Sequence, residues 1–199
     1  MRGPADPVDE GSARRPAEPA RRTAESARRP AEPAAEPAVA PAAVHAGDGW
    51  ALRPASIEDV EEIAFAELEL FPDEAWNVFQ LAAEIEHPDR RYVIAATGPQ
   101  GKGEMLGYAG IMLAGDIADL HTIGTRREGA GIGRALLGWC EGQARAGGAE
   151  RMLLEVREDN TRARAFYTAA GYREIDRRRG YYRIRGRRID ALVMERDLT

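Results

Sequence analysis

The sequence is poor in the features that would commit it to a membrane, a disulfide framework or a polyanion. Its single cysteine, Cys140, excludes an internal disulfide and fits a reducing compartment. No apolar run approaches the roughly 20 residues that span a bilayer, and no signal-peptide core is present, so a cytoplasmic protein without membrane attachment is expected. No charge of one sign dominates: 28 basic and 33 acidic residues give a formal net charge of −5. Nonspecific nucleic-acid binding needs a large cationic face, so no direct contact with nucleic acid is expected. No metal is expected either, and the chain is expected to act as a monomer. Cys140 falls on the apolar side of a helical pattern, where a packed core thiol is expected rather than a nucleophile.

The first 46 residues contain no aromatic residue but eight of the twelve prolines, and their seven arginines and seven acids cancel. Three heptads begin at Arg14, Arg21 and Arg28. No large apolar residue occupies a repeated position, which excludes a coiled coil, and the recurring prolines break any helix. Such a segment cannot bury enough apolar surface to offset its ordering entropy, so residues 1–46 are expected to form a disordered tail. Residues 47–199 are long enough for one sizeable core.

Within that domain a short strand at Trp50–Arg53 precedes a helix opened by Ser56, with Asp59 at its third position and Val60, Ile63, Ala64 and Leu68 as its buried stripe. A second helix is expected from about Ala75 to Glu86, ended by Pro88. Strands follow at Arg91–Thr97, Met105–Leu113 and Ile117–Thr125, then a helix from about Ile132 that stops at Gly147-Gly148. A strand at Arg151–Arg157, a helix capped by Asn160 and ending at Gly171, a strand from Tyr172 and a hairpin around Gly186 complete the chain. The order β-α-α-β-β-β-α-β-α-β-β is mixed α/β, with a mostly antiparallel central sheet flanked by helices, and is not a dinucleotide fold.

The segment Arg127-Glu128-Gly129-Ala130-Gly131-Ile132-Gly133-Arg134 joins a strand to a helix. Glycines there let backbone N–H groups converge on the helix N-terminus, whose unsatisfied donors and partial positive charge attract phosphate. The loop is not a P-loop, because no Lys-Ser/Thr follows its last glycine. A plain structural turn would use the same residues. Arg134, in the first helical turn, suits either a phosphate clamp or a solvated surface.

Context narrows the choice. Ile123-Gly-Thr125, the glycine loop, Leu153-Leu-Glu155-Val-Arg157, Asn160, Phe166-Tyr167 and Ala170-Gly171-Tyr172 resemble the GNAT acetyltransferases. Arg179-Gly-Tyr181-Tyr182, Asp190-Ala191 and Met194 bring the chain closest to the RimI type, the ribosomal-protein alanine N-acetyltransferases. The resemblance implies the GNAT fold over about Trp50 to Leu198 and acetyl-CoA as co-substrate. Ile123, Gly124 and Thr125 would pair with the pantetheine arm, and Gly129, Ala130, Gly131, Ile132, Gly133 and Arg134 would cradle the pyrophosphate. Asn160 would hold the pantetheine region while capping its helix. Glu155 matches the family's proton acceptor and Tyr167 its general acid. For Glu155 taken alone, an ion pair with a neighbouring arginine is the preferred reading over catalysis, and for Tyr167 the lesser alternative is core packing beside Phe166.

The acceptor implied is the N-terminal alanine of ribosomal protein number eighteen of the small subunit, a basic peptide. Glu67, Glu69, Asp73 and Glu74 are candidates to receive it, or else a solvated helix face, and Tyr181 and Tyr182 candidates to line its groove. The alternatives are a GNAT enzyme that acetylates another protein N-terminus, a lysine or a small amine, and a non-catalytic acyl-CoA or ribosome-binding module. The arginines at 177–179, 183, 185, 187 and 188 alternate as exposed hairpin residues do, and no RNA-reading signature accompanies them. The loop departs from the family's usual pattern at Glu128, Gly129 and Ala130. A carboxylate beside a pyrophosphate and an added glycine both weaken binding, so lower acetyl-CoA affinity is expected.

Overall fold

The computed structural model describes residues 44–47 and 49–199. Its strands are β1 (Val44–Gly47), β2 (Trp50–Pro54), β3 (Arg90–Thr97), β4 (Met105–Ala114), β5 (Ile117–Thr125), β6 (Arg151–Arg157), β7 (Arg173–Ile184) and β8 (Arg187–Asp197). The helices are α1 (Val60–Leu70), α2 (Val78–Ile85), α3 (Ile132–Ala146) and α4 (Thr161–Ala169). The strands form one sheet in the order β1-β2-β3-β4-β5-β6-β8-β7. Every neighbouring pair is antiparallel except β5 and β6. The expected mixed α/β architecture is therefore observed, with β1 added in front. The expected tail lies outside the described residues except at its end, where Val44 to Ala46 belong to β1 and Val44 and His45 pair with β2. No helix among the described residues is long and apolar enough to cross a membrane.

The sheet is covered on both faces, and strand alternation sorts side chains between two cores. Val93 and Ala95 join Ile132, Leu136, Leu137 and Cys140 of α3 on one face, while Tyr92, Ile94 and Ala96 join Val60, Ile63 and Leu81 of α1 and α2 on the other. Cys140 is fully buried and burial pushes its thiol up, so it is a core thiol.

Two local expectations change. α2 begins at Val78 rather than Ala75, because Asn77 and Gln80 form a reciprocal cap: each side chain accepts the other's backbone N–H at 3.0 Å. The buried stripe of α1 runs through Val60, Ile63, Ala64 and Glu67, whereas Leu68 is 61% exposed. A carboxylate takes the inward position because polar partners await it there.

Candidate active site

The site begins with a break in the sheet. The β5–β6 ladder runs only from Ile117↔Arg151 to Leu120↔Leu154. At its end β5 carries a bulge: Gly110 pairs with Thr122 but Ile111 with Leu120, leaving His121 as the extra residue. A bulge bends its strand, and here it separates β5 from β6. Beyond it, Ile123, Gly124 and Thr125 pair with Ala109, Tyr108 and Gly107 of β4, and Glu155, Val156 and Arg157 pair with β8. Between the two strands lies a notch in mid-sheet whose edges carry backbone groups without a strand partner among the described residues, ready to bond an extended ligand. Gly124 suits its place, because a Cβ there would stand 2.8 Å from Leu70 Cδ1 at the end of α1.

The glycine loop continues from this notch. Gly129 and Gly131 have φ of 73° and 76°, values that glycine adopts without strain, and space around both is open. Gly131 stands at the N-cap of α3 and no side chain caps the helix, so its first N–H groups face outward from the loop. Ile132 is buried, Gly133 lies against Thr125 and Phe166, and Arg134 is exposed in the first turn. Ala130 and Glu128 are exposed, and Glu128 forms an ion pair with Arg162 of α4. The loop thus fits an anion by shape and by backbone donors, with one carboxylate already paired to a surface arginine.

Glu155 and Tyr167 lie on opposite faces of the sheet. Leu154 and Val156 point into the α3–α4 core, so Glu155 points to the α1–α2 side. It is half-buried, and its Oε1 sits 2.6 Å from Arg178 Nη1 of β7, so the ion pair considered for it is present. The Arg178 guanidinium also lies 5.6 Å from the centre of the Tyr181 ring. Tyr167 belongs to the α3–α4 core, edge-on to Phe166 at 5.2 Å and to Tyr172 at 5.7 Å. It keeps 7% of its surface exposed, and burial, then the nearby Cys140, raises its phenol well above the ordinary value, so the proton stays on oxygen at neutral pH. Asn160 caps α4, its Oδ1 accepting the Ala163 N–H at 3.0 Å, and is otherwise exposed.

The acids of the first helices divide: Glu69 and Asp73 are exposed as a solvated face would have them, Glu74 is half-buried and Glu67 is buried. Glu69 pairs with Arg126 at 2.9 Å, Asp73 with Arg185 at 3.4 Å, and Glu74 with Arg157 at 3.8 Å. Glu67 is 2% exposed and accepts hydrogen bonds from Tyr108 Oη (2.8 Å), Thr122 Oγ1 (2.9 Å) and the Trp76 N–H (3.5 Å). It therefore cannot meet a peptide. It ties α1, β4, the bulged part of β5 and the loop before α2 together. Burial raises its carboxyl above the usual range against the lowering effect of those hydrogen bonds. Glu67→Ala should lower unfolding free energy by roughly 2–3 kcal/mol, read from urea midpoints, because the buried Tyr108 hydroxyl and the half-buried Thr122 hydroxyl lose their acceptor. A raised carboxyl stabilises the fold when protonated and loses that contribution as pH rises through its lifted range. The melting temperature of Glu67→Gln minus that of wild type should therefore increase toward higher pH.

Sequence reasoning missed Asp119. It shares a face with Leu153 across the last rungs of the β5–β6 ladder, hence with Glu155. Burial raises its carboxyl, His121 lowers it and Glu155 raises it further. Its only signal is a lone acid in an apolar strand. Arg178 is, by sequence, one of several exposed arginines, and its partner is legible only from strand register.

The acetyltransferase (GNAT) family model matches residues 57–172. The N-alpha-acetyltransferase RimI of Mycobacterium tuberculosis is 38% identical over 146 residues, covering 70% of this chain and 87% of the relative. The ribosomal protein bS18-alanine N-acetyltransferase of Haemophilus influenzae is 36% identical over 94 residues, 46% of this chain and 64% of the relative. Among solved structures, the ribosomal-protein-S18-alanine N-acetyltransferase of Escherichia coli superposes with a TM-score of 0.67 at 23% identity, covering 75% of this chain and 94% of that one. That likeness is one of fold.

Proposed function

The chain belongs to the GNAT acetyltransferase family, and from that premise we propose that it is an Nα-acetyltransferase that acetylates the N-terminal alanine of ribosomal protein bS18 from acetyl-CoA. The observation that carries this reading is the notch between β5 and β6, with an anion-ready loop beside it, Glu155 on one face and Tyr167 on the other. The names of its bacterial relatives support the acceptor.

The residues present fit acetyl-CoA. The unpaired edge at Ile123, Gly124 and Thr125 suits the pantetheine amides, which would add to β5 as a strand does. The loop donors from Gly129 through Ala130, Gly131, Ile132 and Gly133, with the side chain of Arg134, suit the pyrophosphate. Asn160 would turn its amide to the pantetheine arm while its Oδ1 caps α4. Acetyl-CoA supplies the activated acetyl thioester. The acceptor α-amine titrates near pH ~8 and arrives mostly protonated. Glu155 takes that proton, freeing the nitrogen lone pair to form the new amide bond as the carbon–sulfur bond breaks. Tyr167 gives its phenolic proton to the departing sulfur, and the second proton that the nitrogen sheds on becoming an amide passes to solvent, which reprotonates the phenolate. We place the enzyme in the cytoplasm as a monomer, with no membrane or nucleic-acid partner.

Mass spectrometry of basic peptides ending in alanine, serine or carrying only a lysine amine, incubated with acetyl-CoA, tests the acceptor. Acetyl transfer to the alanine α-amine is expected first, and transfer confined to lysine would overturn it. Glu128→Gln should tighten acetyl-CoA binding by about two- to fivefold in calorimetry, the scale of one exposed charge partly screened by its partner. An unchanged Kd would show that Arg162 has already cancelled the carboxylate.

A further inference from the structure

We infer that Asp190 is the positioning residue of the acceptor wall. This rests on the reading of Glu155, which points to the α1–α2 side, as the base that meets the acceptor amine. In the β7–β8 ladder Arg178 pairs with Ala191 and the next rung is Tyr182↔Ile189. Arg179, Gly180 and Tyr181 thus stand opposite Asp190 alone, as a bulge in β7. The Asp190 carboxylate fills the gap: Oδ1 accepts the Gly180 N–H at 2.7 Å, and Oδ2 lies 3.4 Å from Arg177 Nη1. Gly180 has φ of 58°, the left-handed turn the bulge requires. The Asp190 main-chain oxygen also accepts the Glu158 N–H at 2.9 Å, so one residue holds both the bulge of β7 and the end of β6, the strand that carries Glu155.

What this bulge presents is the acceptor wall. Immediately before it Arg178 reaches Glu155 at 2.6 Å and lies over the ring of Tyr181, whose centre is 5.0 Å from that of Tyr182. Burial and then the charges of Glu74 and Glu155 raise the phenol of Tyr182. A regular ladder would carry Tyr181 and Tyr182 along a straight strand. The carboxylate–amide bond at Gly180 holds the bend that sets the Tyr181 ring against Arg178, the ion-pair partner of the base.

Steady-state acetylation by the full chain, with an alanine-ended basic peptide and acetyl-CoA each varied, tests this. Asp190→Ala should raise the peptide KM at least about tenfold, because a displaced wall misplaces the amine, with the acetyl-CoA KM unchanged. Asp190→Asn should recover most of the loss, since its amide oxygen still accepts the Gly180 N–H. Arg177→Gln, which leaves that bond intact, should resemble wild type. Amide exchange gives a readout free of substrate: Gly180 should exchange at least about tenfold faster in Asp190→Ala than in Asp190→Asn. Unchanged peptide KM in Asp190→Ala, or equal loss in the Ala and Asn variants, overturns the inference. If Asp190→Ala does not fold, wild-type Gly180 exchanging as fast as an exposed amide overturns it and slow exchange that persists in Asp190→Asn supports it. If wild type ignores the peptide, the acceptor reading fails separately, and the same variants are compared on the amine it does acetylate.

Discussion

Replacing Glu155 by Gln should lower kcat by about 10²- to 10⁴-fold, the usual contribution of a positioned acid or base. The substitution keeps the shape of the side chain, and the glutamine amide oxygen could still accept from Arg178, which stands 2.6 Å from the native carboxylate. The residue is half-buried on the side of the sheet away from the α3–α4 core, so the edge of β5 and the glycine loop are untouched. The acetyl-CoA Kd from calorimetry should therefore change less than about twofold, since an interaction made only with the reacting amine leaves ground-state cofactor binding alone. If Glu155 served only to anchor Arg178, glutamine would serve nearly as well and kcat would barely move. That result would sink the assignment. Loss of cofactor binding together with turnover would mean that the ion pair supports the notch rather than the chemistry. Thiol release by wild type, measured with an amine acceptor, also separates an enzyme from a module that merely binds acyl-CoA.

Much of this site is legible in the sequence because local patterns carry their own physics. The spacing of Ile132, Leu136 and Cys140 gives α3 its inward face, and all three are buried. Gly129 and Gly131 sit at positive φ where the sequence calls for a turn into a helix N-terminus. Asn160 caps α4 as its residue type and position suggest. What stays hidden depends on register between distant segments. The bulge at His121 has no local signature, yet it opens the notch and turns Thr122 toward Glu67. Glu67 replaces Leu68 in the buried stripe because Tyr108 and Thr122, distant in sequence, bring hydroxyls to it. Hydropathy alone ranks those two residues the other way. Arg178 looks like one more exposed hairpin arginine until the β7–β8 register sets it beside Glu155. Composition groups most of β1 with the tail, and its pairing with β2 is a property of the neighbouring strand rather than of its own four residues.

Replacing Tyr167 by Phe should slow acetyl transfer by about 10- to 10²-fold while leaving structure and cofactor affinity nearly intact. The leaving thiol ionises near pH ~8.5 if it behaves like other thiols, so its departure needs less help than an alkoxide would, and the loss belongs at the lower end of acid catalysis. Tyr167 is packed against Phe166 and Tyr172, contacts that a phenylalanine ring retains. No hydrogen bond to the Tyr167 hydroxyl forms among the described residues, and its oxygen is not sealed from solvent, so deleting it breaks no internal bond and leaves no partner unsatisfied. The melting temperature of Tyr167→Phe should therefore equal or exceed that of wild type. A buried phenol with a raised pKa is poor as an anion and well suited to keep a proton until a stronger base forms beside it. Single-turnover thiol release, which isolates bond breaking from product departure, is the measurement to make. A slower rate in a protein as stable as wild type would mean that the hydroxyl acts on the departing sulfur. An unchanged rate would leave Tyr167 as a core aromatic, and the proton would have to reach the thiolate from solvent through the notch.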